Sequence, residues 1–400
     1  MAKKIVVVGT GYVGLPLAIM LAHSGYEVTG VDVQDSIVDA INKGVLDIAE
    51  DEVKRVFEEP AVRKNLRARK TPLPADVFII CVPTPLDEKK KTADLALVTQ
   101  AAESLVPYLR AGNLVILEST VPPGTCRNVL TPLFEKAGLK VGKDILLAHC
   151  PERILPGAVL KELIEDDRVV GGVNAQSTKM AKEIYASFVK GNLYETDATT
   201  AELVKLMENT YRDVNIALAN EFAGVAAGLG VDILKAIELA NKHPRVDILK
   251  PGIGVGGHCI PIVPWFINQV DPSNSRLITA ARQVNDAVPA KTVADIKKAL
   301  KDIKDPQIVA LGITYKPNTY DTRNSPAQQI IDLLKAEGYH VKACDPMVKG
   351  YEYKSIESVA SGADCLIVLV EHKAIRQELV QSAAAIKKAM RHPIILRFYQ

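Results

Sequence analysis

Short β-branched runs alternate with amphipathic stretches along the first half of the chain. Ile5–Val8, Glu27–Val31, Val77–Val82, Leu114–Glu118 and Ile145–His149 read as strands, and Leu15–His23 and Ser36–Asn42 carry apolar residues at helical spacing. The strands lack the polar/apolar alternation of a sheet with one wet face, so each should be buried on both. Strands of that kind in βαβα order predict a parallel sheet covered by helices on either side.

From about Asp197 to Asp286 the strand signal is absent. Ala198–Gly228 reads as one helix with no internal proline, which at ~1.5 Å per residue spans roughly 45 Å. A second series follows, with strands Ile308–Leu311, His340–Cys344 and Asp364–Val370 and a helix over Ala327–Ala336. The predicted fold is α/β, two Rossmann-like parallel-sheet domains joined by a long central helix and helical segment. The expected divisions are 1–197, 198–290 and 291–400.

Composition narrows the partners. The 400 residues hold 49 Lys+Arg against 47 Asp+Glu, net +2. No basic run is long enough to track a nucleic acid, so a phosphate must be held by a few local groups. The opening MAKKIVVVGTG has an apolar run of only four residues before its glycine, a strand rather than a leader. No stretch is long enough to span a membrane. The cysteines, 81, 126, 150, 259, 344 and 365, show neither a CxxC pair nor Cys/His metal spacing. Reduced cytoplasmic thiols, without disulfides or a metal, are expected, with Cys81 and Cys365 as small buried hydrophobes.

Candidate chemistry begins at Gly9-Thr10-Gly11-Tyr12-Val13-Gly14. It follows a strand, opens a helix, and is followed by Asp32 at the end of the next strand, the context in which this pattern signifies a dinucleotide turn. Gly9 permits the tight turn, Gly11 lets backbone approach a pyrophosphate, and Gly14 lets helix and strand pack. The helix N-terminus offers N–H groups to phosphate. Asp32 can accept from a ribose and would repel a 2′-phosphate, which favours NAD over NADP.

A second cluster is Gly252-Ile253-Gly254-Val255-Gly256-Gly257-His258-Cys259. Glycines before a cysteine can expose it among backbone N–H groups, conditions that lower a thiol pKa. His258 reads first as a loop or ligand-contact residue. On the long helix Lys205 and Asn209, at i and i+4, share a face and could both stabilise an oxyanion, or simply be a solvated polar face. Thr84, Thr120 and Glu152 each lie just after a strand, where open α/β sheets bind ligands.

The segments GTGYVGLPLA, VPTP, ESTVPPGT, CPERILPG, AELVKLMENTYRDVN, NKHPR, GVGGHCIP and GITYKPNTYDTRNSP together resemble the nucleotide-sugar 6-dehydrogenase family, over essentially the whole chain. The resemblance implies NAD-dependent oxidation of a UDP-sugar C6 alcohol to a carboxylate, in two steps. Cys259 looks like the nucleophile that holds the aldehyde as a thiohemiacetal and then a thioester. Lys205 and Asn209 resemble the pair at the C6 oxygen, Glu152 the general acid/base, and Thr120 the residue that positions water. Arg245 looks like an arginine supplied across a homodimer interface. Tyr315 and Lys316 with Gly256 and His258 resemble sugar-nucleotide contacts, and Arg323 a group near the cofactor. The C-terminal domain would then hold the nucleotide sugar, and the central one would link and associate, into a homodimer or a higher homo-oligomer.

The chain departs from the family pattern at Val263, where members usually carry an aspartate, and lacks the usual aspartate and asparagine near its last strand. Details such as Arg153 in CPERILPG lean toward the UDP-N-acetylmannosamine branch, since Arg153 and Arg212 could donate to an acetamido carbonyl. UDP-glucose and UDP-N-acetylglucosamine are the alternatives. Two further readings are a two-electron β-hydroxyacid dehydrogenase, in which Cys259 is dispensable, and a catalytically impaired protein that binds NAD and sugar nucleotide.

Overall fold

The computed structural model describes residues 3–46, 48, 50–154 and 157–398. The chain divides into two compact units, Met1–Glu208 with Trp265–Pro272, and Asn209–Pro264 with Ser273–Gln400. The division falls inside one helix, Ala198–Leu229, one residue longer than the sequence predicts.

The strands of the first unit are β1 (Lys4–Val8), β2 (Glu27–Val31), β3 (Leu66–Arg69), β4 (Val77–Ile80), β5 (Leu86–Asp87), β6 (Thr92–Ala93), β7 (Leu114–Leu117), β8 (Leu146–His149), β9 (Arg168–Gly172) and β10 (Leu193–Asp197). Eight form one sheet in the order β10-β9-β8-β7-β4-β1-β2-β3, and β5 and β6 pair as a separate hairpin. Along β1, Ile5 and Val7 enter one core with Leu17, Ile19 and Leu21 of the first helix, Gly14–His23. Val6 and Val8 enter another with Val98, Ala102 and Leu105 of the helix Ala96–Leu105. Burial on both faces is why the run is IVVV rather than alternating. Truncating a buried isoleucine here, Ile79 for instance, to alanine would cost roughly 2–5 kcal/mol.

Two strands depart from the expected all-parallel sheet. β9 runs antiparallel to β8, pairing Ala148 with Gly172 and His149 with Gly171, and β10 returns parallel to β9. Neither reads as a strand in sequence, β9 because of its arginine and paired glycines, β10 because it is a largely exposed edge. The glycines are required by close approach: a Cβ at Gly171 would lie 2.2 Å from the Asp197 carbonyl oxygen.

The second unit holds β11 (Gln307–Leu311), β12 (His340–Cys344), β13 (Cys365–Val368) and β14 (Ile394–Arg397), in the order β12-β11-β13-β14. All of its pairs are parallel. Alternate residues of β11, Ile308 and Ala310 against Val309 and Leu311, again enter separate cores. β14, only half-buried, stands where the family resemblance puts the last strand. Among the described residues no helix is long and apolar enough to cross a membrane.

Candidate active site

In the first unit the order β3-β2-β1-β4-β7-β8 reverses direction between β1 and β4. Such a switch point opens a crevice at the carboxyl ends of the strands. The turn after β1 is shaped for a dinucleotide. Gly9 has φ +89° and a Cβ there would sit 2.8 Å from the Cys81 carbonyl oxygen; at Gly14 it would sit 1.9 Å from that of Gly9. A Cβ at Gly11, by contrast, would meet nothing within 4 Å. The turn is therefore closed where backbone packs and open where a pyrophosphate approaches. No side chain caps the helix that follows Val13, leaving its first N–H groups for an anion. Asp32 is held at the end of β2 by the Thr10 N–H (3.0 Å) and hydroxyl (3.2 Å) and by the Gln34 N–H (3.1 Å). These features fit NAD. Tyr12 donates from its hydroxyl to Glu50 (2.7 Å), which also accepts the Gly157 N–H (2.8 Å) and so ties the turn to the segment beyond Arg153.

The loops carrying Thr84, Thr120 and Glu152 follow β4, β7 and β8, three adjacent strands. Ser119 donates to the Val82 carbonyl (2.7 Å), stitching two of them together. The Thr84 hydroxyl is buried without a hydrogen-bond partner among the described residues, while Thr120 is half-buried. Glu152 accepts the Ile154 N–H. Burial pushes its carboxyl up to about 7; the Lys205 and Arg168 charges oppose this, and the Glu118 charge adds to it. Lys205 is itself buried, with neither an ion-pair nor a hydrogen-bond partner among the described residues. A carboxyl that titrates near neutrality beside an unpaired ammonium is suited to general acid/base work.

Beneath Glu152 lies a network that the sequence did not disclose. Glu118, completely buried, accepts from Arg168 (3.1 Å) and from the Tyr185 hydroxyl (2.9 Å). The Arg168 guanidinium also stacks over the Tyr185 ring at 4.8 Å. The signal available was weak: an acidic residue ending one strand and a basic residue beginning another.

In the second unit the cysteine loop is sewn to the Tyr315–Ser325 segment. The Gly257 N–H donates to the Arg323 carbonyl (3.2 Å), and the Asn324 side-chain amide donates to that of Gly257 (3.2 Å). A Cβ at Gly256 would come within 2.6–2.8 Å of Pro326, Asn324 and Tyr315. At the end of this loop Cys259 is exposed, alone among the six cysteines. Tyr315 feels the charges of Asp321, Cys259, Arg323 and Arg212, and burial pushes its phenol up. Cys259, Tyr315, Arg323 and Arg212 therefore gather in one place. Arg323 pairs with Asp321 at 2.6 Å; Lys316 stands over the Tyr315 ring at 5.7 Å. Burial, and the Arg323 charge after it, push His258 down, so it is a neutral loop residue at pH 7.

Base positioning of this loop was also unforeseen. The Gly252 N–H donates to Asn220 (2.9 Å), whose amide donates to Asn285 (3.0 Å), which in turn donates to Asp213 (2.9 Å). Arg282 pairs with the same Asp213 at 2.5 Å.

Other expected residues are placed differently. Arg153 is bound to Glu208 through two nitrogens and donates its third group to the Asp167 carbonyl (2.6 Å), so here its guanidinium is committed within the fold rather than offered to an acetamido group. Arg212 donates to the Asn209 side-chain oxygen (2.6 Å), leaving the buried Asn209 N–H₂ without a partner among the described residues. Arg245 is exposed, with its guanidinium 3.5 Å from the His243 ring. Val263 is buried and its N–H returns to the Cys259 carbonyl (2.9 Å), so no acid stands at that position.

Three stretches match sequence models of one family: residues 3–189 the NAD binding domain of the UDP-glucose/GDP-mannose dehydrogenases, 199–287 their central domain, and 309–399 their UDP binding domain. A UDP-N-acetyl-D-mannosamine dehydrogenase of Methanocaldococcus jannaschii is 48% identical over 399 residues, 98% of this chain and 91% of that protein. An NDP-N-acetyl-D-galactosaminuronic acid dehydrogenase of Ralstonia solanacearum is 41% identical over 390 residues, 94% and 92% of the two. The solved structure of a UDP-D-ManNAc dehydrogenase from Pyrococcus horikoshii superposes with a TM-score of 0.93 at 43% identity, covering 99% of this chain and 95% of that one.

Proposed function

The chain belongs to the UDP-glucose/GDP-mannose dehydrogenase family, and from that premise we propose that it oxidises the C6 alcohol of UDP-N-acetyl-D-mannosamine to the uronate through a covalent bond to Cys259. The substrate follows the relatives of 43–48% identity. The observation that carries the covalent route is the exposure of Cys259 at the end of a glycine loop, while the other five thiols are at least partly buried.

NAD, when bound, supplies the hydride acceptor for both oxidations. Lys205 and the unpaired Asn209 amide hold the C6 oxygen as charge develops on it. The hydroxyl proton leaves through Lys205, or through water held by Thr120, toward Glu152. The Cys259 thiolate adds to the resulting aldehyde and Glu152 returns its proton to the oxygen, giving a thiohemiacetal that cannot escape between oxidations. Its hydroxyl proton leaves by the same route through Glu152 to solvent as its hydride departs, giving a thioester; water held by Thr120 adds to this, with the again ionised Glu152 taking the water's proton, and the Cys259 thiolate leaves. Gly256, His258, Tyr315, Lys316 and Arg212 line the sugar-nucleotide side, and Arg323 the cofactor side. Residues 1–197 hold NAD, 198–290 link and dimerise, and 291–400 hold UDP.

A second copy of the chain completes the enzyme. Leu203, Met207, Tyr211, Leu218, Phe222, Val225 and Leu229 recur at three-, four- and seven-residue spacing on the central helix and are all exposed, an apolar stripe suited to self-association. Arg245, exposed and nearly unpartnered, is the group offered to the neighbouring subunit. A cytoplasmic setting keeps the catalytic thiol reduced.

Assay of the purified protein with NAD and a panel of UDP-sugars tests the reading. The highest kcat/KM is expected for UDP-N-acetylmannosamine. A preference of about tenfold or more for UDP-glucose, roughly 1.4 kcal/mol in transition-state binding, would overturn the substrate. Tight binding with no NADH from any sugar would instead support the catalytically impaired binding protein.

A further inference from the structure

Three residues distant in sequence meet inside the first unit and have no part in the reaction above. Cys126 opens a π-helical turn, Cys126–Leu130; His149 ends β8; Glu202 lies in the second turn of the central helix. All three are buried. One donor atom from each, the Cys126 sulfur, a His149 ring nitrogen and a Glu202 carboxylate oxygen, lies within 4.8 Å of the other two.

Two of the three are unusual alone. Glu202 is a buried acid with no cationic partner among the described residues; its oxygens accept the N–H groups of Gly124 (2.5 Å) and Cys126 (2.8 Å), and the Cys126 thiol as well. Neither ring nitrogen of His149 makes a hydrogen bond of ordinary geometry among the described residues, although a buried polar group is costly to leave unpaired. Such orphans ask for an explanation, of which an ion is one.

We propose that Cys126, His149 and Glu202 form a structural site for a borderline-soft divalent cation of the zinc class. A single +2 ion answers both anomalies. It balances one carboxylate and one thiolate, and it gives a neutral imidazole the partner it lacks. A sulfur, nitrogen and oxygen donor set selects zinc or cobalt over magnesium or calcium, which take oxygen alone. The two backbone N–H groups on Glu202 are the outer hydrogen bonds that orient a ligating carboxylate. Binding releases the thiol proton to solvent, and three protein donors leave the fourth tetrahedral position to a water molecule.

Position gives the site its consequence. Cys126 comes six residues after Thr120, His149 three before Glu152, and Glu202 three before Lys205. The ion would cross-link the three segments that carry this unit's candidate proton-handling groups. Ligands 23 and 53 residues apart in the chain form no spacing that a sequence scan detects, which is why no metal is expected from the sequence.

Because the site is sealed, loading belongs to expression rather than to soaking. Protein expressed in zinc- and in cobalt-supplemented minimal medium, then exhaustively dialysed, is expected to hold about one metal per chain. The cobalt form should show a sulfur-to-cobalt charge-transfer band and the intense visible bands of a tetrahedral thiolate site. Cys126→Ser should lose that band, and His149→Gln should lower metal content about tenfold or more. Natively folded wild-type protein from both media with less than about a tenth of an equivalent, and without a cobalt–thiolate band, would overturn the proposal. So would an unchanged cobalt spectrum in Cys126→Ser, which would place the ion elsewhere. The wild-type measurement stands even if a variant fails to fold, and no arm depends on turnover.

Discussion

At the scale of single residues, Glu152 sets the pH behaviour. Its carboxyl is held up near 7 chiefly by burial, so kcat/KM should show a limb centred near pH 7 that Glu152→Gln abolishes, with a rate loss of about 10²–10⁴-fold. The Lys205 charge pulls in the opposite direction. Lys205→Met should therefore move the limb to higher pH as well as slow the reaction, and a limb that moved to lower pH would contradict the assignment. The same shift has a stability signature opposite to that of an ion-paired acid. A carboxyl whose folded pKa lies above its unfolded one stabilises the fold at low pH and loses that contribution as pH rises through about 7. Glu152→Gln, always neutral, should flatten the loss between roughly pH 4.5 and 7, read as the pH dependence of Tm.

At the scale of elements, the cysteine loop depends on glycine for space rather than for flexibility alone. A Cβ at Gly256 would press on Pro326, Asn324 and Tyr315, two of the contacts being backbone or ring atoms that cannot swing away. Gly256→Ala should displace Cys259 and cost about 10²-fold in kcat, while NAD affinity, which belongs to the first unit, stays unchanged by titration. The central helix gives a separate test. Met207→Glu with Phe222→Glu places charges on its exposed apolar stripe, and sedimentation should then report a monomer where the parent chain sediments as a dimer; a parent that is itself monomeric would remove the dimer from the account.

The elements also show what a sequence can carry. β1, β2 and the central helix were legible because burial on both faces, or on one helical stripe, writes itself as an unbroken or 3.6-periodic run. The dinucleotide turn was legible because its glycines are demanded by backbone geometry local to the motif. β9 was not, because Gly171 and Gly172 answer to Asp197 and Thr178, contacts made only after folding. Glu152 could be picked out by position, but its poise comes chiefly from burial, opposed by Lys205 and Arg168 and aided by Glu118, and Arg168 and Glu118 look like ordinary strand-end residues until the sheet brings them together. The pairing of Arg153 was hidden for the same reason: its partner Glu208 lies 55 residues away.

At the scale of the whole molecule, each unit carries its own part of the chemistry: the first holds the dinucleotide turn, Glu152 and Lys205, the second Cys259 with Tyr315 and Arg323. The account requires both parts to act on one sugar, with the sulfur of Cys259 retaining the aldehyde until it is oxidised again. Counting NADH formed per UDP-N-acetylmannosamine consumed, for the parent enzyme and for Cys259→Ala, tests this most directly. The parent should give about two NADH and the uronate, and the variant at most about one, with no acid; two NADH per sugar from the variant at the parental rate would contradict it.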